Sequence, residues 1–131
     1  MTWKLSNEER VAVTGLPAHE RYAYFVKRVA DWEAVWCLRN AEGWVTFADD
    51  MHHICVPFWP HPEFARSNAK DAWRDTSPEE IALDDFLDKW LPGMTRDARL
   101  AAVFPSPLDN AAVVPASQLA GDLRSELEKI E

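Results

Sequence analysis

The four histidines and two cysteines are the side chains of this sequence most able to hold a metal ion or to attack a substrate. Zinc sites need three or four ligands at suitable spacing, usually with cysteine or carboxylate among them. His52 and His53 are adjacent, so an extended chain would point them to opposite faces. Cys37 and Cys55 lie in separate apolar runs. We therefore expect no metal site, and two reduced core thiols in preference to a disulfide.

No pattern typical of a catalytic nucleophile or a phosphate-binding loop is present in the sequence. It lacks the Gly-x-Ser-x-Gly elbow of many hydrolases, and it contains only four glycines in 131 residues, which argues against a glycine-rich loop. The adjacent Asp49 and Asp50 favour a solvated turn over an acid–base pair. The sequence predicts no catalytic residue and no cofactor, and an uncharacterised enzyme remains an alternative.

Acidic side chains and one tryptophan are better candidates, as contacts for a partner protein. Asp84, Asp85 and Asp88 open one predicted helix, where the helix dipole favours them. Trp59 lies in a proline-rich corner at residues 57–63. Its side chain is either packed there or half exposed as an interface anchor, because tryptophan is enriched at hot spots. The predicted contact residues are Asp49, Asp50, Trp59, His61, Glu63, Asp84, Asp85 and Asp88.

Two helices are predicted near the N-terminus to hold these side chains in place. Ser6 and Glu9 have the spacing of a capping box at the start of a short helix, which Gly15 can end. A longer amphipathic helix follows from Pro17 to about Asp31, because its apolar residues recur with helical spacing. The apolar stripe contains Tyr22, Phe25, Val26 and Val29, and the basic Arg21, Lys27 and Arg28 lie off it.

About five short strands are predicted. The first two flank a loop with Gly43 and are typical of a β-hairpin. Pro57 in the third favours an edge position or the end of that strand. The predicted strands are residues 35–38, 44–47, 54–59, 100–104 and 112–114.

The segment after Thr76 allows two interpretations. Ser77 could cap a helix, or residues 81–83 could be extended with Asp84 capping the helix that follows, which we favour. Either way one helical face contains Phe86, Leu87, Trp90 and Leu91 and is predicted to end at Pro92-Gly93. A terminal helix begins near Pro115.

These elements predict a single α+β domain over residues 1–131, with an antiparallel sheet of about five short strands flanked by three to five helices. The 14 basic and 22 acidic side chains give a net charge of −8. This charge disfavours nucleic acid and anionic membranes as partners and favours a basic protein. The N-terminus lacks the apolar region of a secretory signal, and no apolar run is long enough to span a bilayer, so we expect a cytoplasmic protein.

Several strings of the sequence together resemble one bacterial family, known as domain of unknown function 2750. Two are specific to it, Trp-Pro-His-Pro-Glu at residues 59–63 and Trp-Leu-Pro-Gly at residues 90–93. The likeness extends over roughly residues 17–130. The family carries no established catalytic residues, so the resemblance implies none. The other matching strings are residues 21–32, 35–38, 43–44 and 103–105 and the helix at 119–127.

A looser likeness is to small acidic immunity proteins encoded beside bacterial toxins, through size, acidity and a hairpin followed by a Pro-Trp pattern. We therefore expect a protein-binding domain, most simply an immunity-type inhibitor that occludes a basic toxin domain. The alternative is a housekeeping adaptor or regulatory module that binds a peptide or small ligand at the corner of residues 57–63. A pocket beside Trp59 would favour that alternative, and a fully packed corner would count against it.

Overall fold

Helices pack around two small β-sheets in the part of the chain, residues 2–108 and 110–130, that the computed structural model describes. The α+β prediction is confirmed. The helices are α1 (Asn7–Thr14), α2 (Ala18–Trp32), α3 (Pro62–Ser67), α4 (Leu83–Asp85), α5 (Leu91–Arg96) and α6 (Ala116–Ile130). The strands are β1 (Ala34–Asn40), β2 (Gly43–Trp44), β3 (Phe47–Ala48), β4 (Ile54–Phe58), β5 (Ser77–Ala82), β6 (Leu100–Val103) and β7 (Ala112–Pro115).

The first two helices form where their local signals predict them. The Ser6 hydroxyl accepts a hydrogen bond from the Glu9 backbone N–H at 3.0 Å and caps α1. The Glu9 carboxylate turns away from the cap and accepts hydrogen bonds from the Tyr24 hydroxyl and the Arg28 guanidinium. Helix α2 buries three of the four residues of the predicted stripe, with Tyr22 half-buried, and it also buries Arg21 completely. The expectation that Arg21 lies outside the buried stripe is therefore wrong.

The strands form two sheets instead of the single one that the short loops predict. One sheet has the order β2-β1-β5, and the other has the order β3-β4-β6-β7. All neighbouring pairs are antiparallel except β4 and β6, which are parallel. A parallel pair needs a long crossover connection, here residues 59–99. Short loops indicate antiparallel pairs of adjacent strands only, so they could not predict this pair.

A pair of backbone hydrogen bonds joins the two sheets at Trp36 and Trp59. Each residue donates its N–H to the carbonyl oxygen of the other at 2.8 Å. Pro57 therefore lies in an inner strand, between the pairing of β4 with β3 at Ile54–Cys55 and this bridge. It is tolerated there because no strand pairs with it on that side at its own position. The predicted edge position is therefore wrong, but the alternative of a strand end is confirmed, because β4 ends at Phe58.

One continuous helical stretch runs from Leu83 to Arg96. The extended alternative for the preceding segment is confirmed by β5, but the helix already begins at Leu83, with Asp84 and Asp85 in its first turn. Phe86–Trp90 is π-helical and separates α4 from α5. The wider π turn accommodates Pro92, so the helix does not end at Pro92-Gly93 as predicted.

The core lies between the sheets and the helices and is rich in aromatic rings. Phe58 packs edge-on against Phe86 with ring centroids 4.8 Å apart, and Phe64 lies 4.7 Å from Phe104. Such contacts add stability beyond the apolar area that they bury. Its fully buried members include Phe25, Val29, Leu38, Phe58, Trp59, Phe86, Leu119 and Leu123. No helix among the described residues is long and apolar enough to span a membrane.

Candidate functional site

A cleft with a volume of about 500 Å³ opens beside β3, and we call it the β3 cleft. Three chain segments form it: β3 with the loop that follows, the region from the end of α3 to the 3-10 turn Asp71–Trp73, and residues 105–106 with 110–113. Of the predicted contact residues, Asp49 and Asp50 lie here together. Its lining residues include Phe47, Asp49, Asp50, Asn68, Trp73 and Ser106.

The acidic side of the β3 cleft is built by the loop after β3. Asp49 Oδ1 accepts hydrogen bonds from the backbone N–H groups of Met51 and His53 at 2.9 and 2.8 Å. Oδ2 lies 3.0 Å from His53 Nδ1. Desolvation alone would raise the pKa of Asp49, but the bonds from His53 and Met51 outweigh it and lower that pKa. Asp49 therefore stays ionised and fixed, whereas Asp50 is exposed beside it.

The floor of the β3 cleft is held by hydrogen bonds to the Pro105 carbonyl oxygen. Trp59 Nε1 donates to it at 2.9 Å, and Asn68 Nδ2 donates to it at 3.2 Å. The preceding residue, Phe104, has a left-handed backbone with φ 59°. This conformation is costly for an aromatic residue and persists only where the surroundings fix it. The floor is thus rigid before any ligand arrives.

Arg21 fixes the same segment from the inside of the molecule. Its Nε donates to the Phe104 carbonyl at 3.0 Å, and its terminal nitrogens donate to the carbonyls of Leu16 and Asn110 at 2.6 and 2.9 Å. Helical spacing places this residue on the buried face, since it lies four residues before Phe25 and eight before Val29. Its charge alone favours an exposed position, and the carbonyl oxygens that make burial possible come mainly from residues far along the chain.

The corner at residues 57–63 is packed around a buried tryptophan. Trp59 has no exposed surface, and its indole packs edge-on against Trp73. The prediction of a half-exposed Trp59 that anchors an interface is therefore wrong, and the alternative of a packed Trp59 is confirmed. The reason is that β4 continues into the bridge with β1, which places this side chain inside. A cleft of about 500 Å³ lies at the far end of the corner, between residues 61–63 and residues 2–7 and 10, but Trp59 does not line it, which counts against the predicted adaptor site.

His61 is buried as well and serves the fold. Its Nδ1 accepts a hydrogen bond from the Glu63 backbone N–H at 3.1 Å and so caps α3. Its Nε2 then carries the proton and donates to the Trp3 carbonyl at 2.7 Å. Burial lowers the pKa of His61, although the Trp3 bond and the Glu63 and Glu9 carboxylates act in the opposite direction. With 4% of its surface exposed and both ring nitrogens bonded within the fold, His61 has little surface to offer a partner, which counts against this predicted contact.

The remaining predicted contacts lie outside the β3 cleft. Glu63 is exposed and forms an ion pair with Arg66 on its own helix. Asp84, Asp85 and Asp88 are exposed at the start of the helical stretch, where Asp85 pairs with Lys89 at 3.4 Å. Asp88 Oδ1 lies 3.8 Å from the guanidinium of Arg124 on α6. The predicted set therefore divides into separate regions of the surface.

A second cleft, of about 340 Å³, lies where the π-helical segment meets β2, and we call it the Trp44 cleft. Trp44 is 40% exposed and meets Trp90 edge-on, with ring centroids 4.6 Å apart. The Arg39 guanidinium covers the Trp44 ring at 4.6 Å. The sequence pattern places Trp44 in a strand and Trp90 on a helical face and gives no sign of this cleft. Its other lining residues include Val56, Lys89, Met94, Asp97 and Arg99.

The two thiols are buried in different sheets and are unreactive. Burial raises the pKa of Cys37 to about 12 and also raises the pKa of Cys55, so both stay protonated near neutral pH. Both are free cysteines. Within residues 2–108 and 110–130, no group of three or more histidine, cysteine or acidic side chains is arranged to hold a metal ion.

A comparison with protein families gives one match. A family model described as "Protein of unknown function (DUF2750)" matches residues 22–123, which include every lining residue of both clefts and the corner at residues 57–63. No curated protein and no solved structure matches the chain.

Proposed function

We propose a function from the surface of this chain, which belongs to the DUF2750 family of unknown function. It is a cytoplasmic protein-binding domain that acts as an immunity-type inhibitor of a basic toxin domain. The mechanism is steric occlusion without catalysis. An interface of standard size would bury about 1,600 Å² in total, enough to cover an active-site cleft.

The observation that carries this proposal is a group of exposed carboxylates where the end of α2 meets the start of α4. The Leu83 backbone N–H donates to the Glu33 carbonyl at 3.0 Å and brings the two helix ends together. Asp31, Glu33, Asp84 and Asp85 are all exposed at this junction, which we call the acidic junction. In the part of the chain that the structure describes, Asp85 alone among them forms an ion pair, with Lys89 at 3.4 Å. The junction therefore presents negative charge to solvent.

Such a surface supports fast association with a positively charged partner. Complementary charge steers encounter and raises association rates up to about 10⁸–10⁹ M⁻¹s⁻¹ at low salt. An inhibitor of a toxin benefits from this speed, because the toxin must be captured before it acts. The two buried, protonated thiols are consistent with a role that needs no reactive group.

Affinity capture from the native cell tests the proposal. The tagged full chain is expected to retain one basic protein in stoichiometric amount at low and moderate salt, and mass spectrometry identifies it. Addition of the purified chain is then expected to block that protein's toxic activity. Capture of no protein at either salt concentration contradicts the proposal, as does a captured protein whose activity the chain leaves unchanged.

Charge reversal tests the acidic side chains themselves. The triple variant Asp84→Lys, Asp85→Lys, Asp88→Lys is expected to slow association by about tenfold at low salt and to flatten its salt dependence. The matched control reverses three exposed carboxylates elsewhere, Glu20, Glu42 and Glu128, with the same change in net charge. Equal effects of the two variants would remove the helix-start aspartates from the interface. Circular dichroism verifies that both variants fold.

A further inference from the structure

We propose that the β3 cleft receives a single arginine side chain presented by the partner protein. The inference rests on the proposed function, since it assigns a specific contact to the basic partner. It adds a site that the acidic junction does not include, because Asp31, Glu33, Asp84 and Asp85 do not line this cleft. Charge, ring geometry and rigidity each support it.

The charge of the cleft selects a cation. Asp49 and Asp50 lie on one side, and none of the described residues that line the cleft is basic. Asp49 is held ionised by its bonds to the loop, and Asp50 is exposed to accept an ion pair from outside. Arg21 lies behind Phe104 and Asn110 and is itself fully buried, with its guanidinium bound to three carbonyl oxygens. It does not fill the cleft.

The rings of the cleft select a guanidinium over an ammonium group. Phe47 and Trp73 line the cleft together, with ring centroids 6.1 Å apart and planes inclined by 52°. Both are half-buried, so part of each ring faces the open space. A planar, weakly hydrated guanidinium stacks on such rings and forms two parallel bonds to a carboxylate, whereas a lysine ammonium is compact and strongly hydrated. Arginine is therefore the better occupant.

The cleft is also built before binding. Its volume of about 500 Å³ lies toward the smaller end of the range of about 300–1,000 Å³ for ligand sites. That space suits one long side chain with its flanking backbone. The Pro105 carbonyl on its floor is fixed by Trp59 and Asn68, and the loop of Asp49 is closed by its own hydrogen bonds. A rigid site loses less entropy on binding.

A titration with small probes tests the site without any partner protein. The probes are N-acetyl-arginine amide, its lysine counterpart and its neutral isostere N-acetyl-citrulline amide, added to the ¹⁵N-labelled full chain. We expect the arginine probe to shift the Trp73 indole signal and the amide signals of Asp49 and Asp50, with binding about tenfold tighter than for citrulline. Equal binding of citrulline, no shifts, or shifts confined to the Trp44 cleft would overturn the inference.

Matched variants locate the binding. Asp50→Asn and Trp73→Leu are each expected to weaken the arginine probe by several-fold. Asp97→Asn and Trp44→Leu, the corresponding changes in the Trp44 cleft, are expected to leave it unchanged. Asp50 is exposed, so its variant tests the site without threatening the fold even if Trp73→Leu is destabilised. Full affinity in Asp50→Asn would refute the site.

The failure of this inference and the failure of the proposed function give different results. If wild type and Asp50→Asn capture the same inhibited protein equally well, the function stands and the arginine site is refuted. If the arginine probe binds at Trp73 and Asp50 but the chain captures and inhibits no protein, the cation site stands and the inhibitor function is refuted.

Discussion

Arg21 is a charged side chain with no exposed surface, and backbone carbonyl oxygens make its burial tolerable. Three of them, from Leu16, Phe104 and Asn110, accept its N–H groups. A buried cation would otherwise be strongly destabilising, because little in the interior replaces its hydration. One side chain thereby ties α2 to the segment that forms the floor of the β3 cleft.

Removal of this charge is expected to weaken the fold. Arg21→Met fills similar space but leaves three carbonyls without their donor, so we expect it to lower the free energy of unfolding by about 3 kcal/mol. Urea titration followed by tryptophan fluorescence measures the change. Lys27→Met, an exposed position on the same helix, is the control and is expected to cost less than about 0.5 kcal/mol. Equal effects would mean that the carbonyl bonds contribute nothing.

His61 makes stability depend on pH. Its folded-state pKa is below the ordinary 6.5, so in the acid range the unfolded chain binds a proton that the folded chain resists. The contribution of His61 is complete above about pH 6.5 and is lost as the pH falls below that value. Protonation would place an N–H at Nδ1, where it would face the Glu63 backbone N–H. The hydrogen bond that Nδ1 now accepts from Glu63 would be lost.

The variant His61→Asn isolates this effect, because asparagine can also cap a helix but does not titrate. The advantage of wild type over the variant in unfolding free energy is expected to shrink between about pH 7.5 and pH 5.5. Chemical denaturation at each pH measures it. The other histidines and the carboxylates, including Glu63 and Glu9 near the ring, are common to both proteins and cancel. A difference independent of pH would contradict the assignment.

At the scale of elements, the features that the sequence predicts correctly are those that depend on residues close together in the chain. The Ser6 cap and the stripe around Phe25 and Val29 depend on neighbours within one or two turns, and both are confirmed. Trp59 was left open between a packed and an exposed position, because its burial depends on a bridge to Trp36. The helix end predicted at Pro92 is wrong because a π turn precedes that residue and the helix continues. The β3 cleft joins three distant segments, so sequence reasoning found only its aspartates.

The bridge between the sheets predicts a pattern of hydrogen exchange. The backbone N–H groups of Trp36 and Trp59 each donate to the other residue's carbonyl oxygen, with N···O distances of 2.8 Å. We therefore expect these amide protons to exchange only on global unfolding. The amide of His52, which donates to Asp49 in the exposed loop, is expected to exchange through local opening. Native-state exchange followed by NMR measures both. Faster exchange at the bridge than in the rest of β1 would show that the sheets separate independently.

At the scale of the whole molecule, the net charge of −8 predicts how salt affects stability. Like charges on a compact surface repel one another, and salt screens this repulsion over about 10 Å at 0.1 M. Raising sodium chloride from about 20 mM to about 0.5 M is therefore expected to increase the free energy of unfolding by about 1 kcal/mol. The variant with Glu20, Glu42 and Glu128 reversed should respond less. A decrease for wild type would mean that its ion pairs outweigh the repulsion.

Both cysteines lie inside the sheets as unreactive thiols, so neither presents a nucleophile at the surface. A cysteine introduced at exposed Ala48, on the rim of the β3 cleft, would then react alone with a maleimide. A solvent-sensitive dye attached there would report in real time on anything that enters, without first replacing a native residue elsewhere. The buried thiols make the natural sequence ready for site-specific labelling.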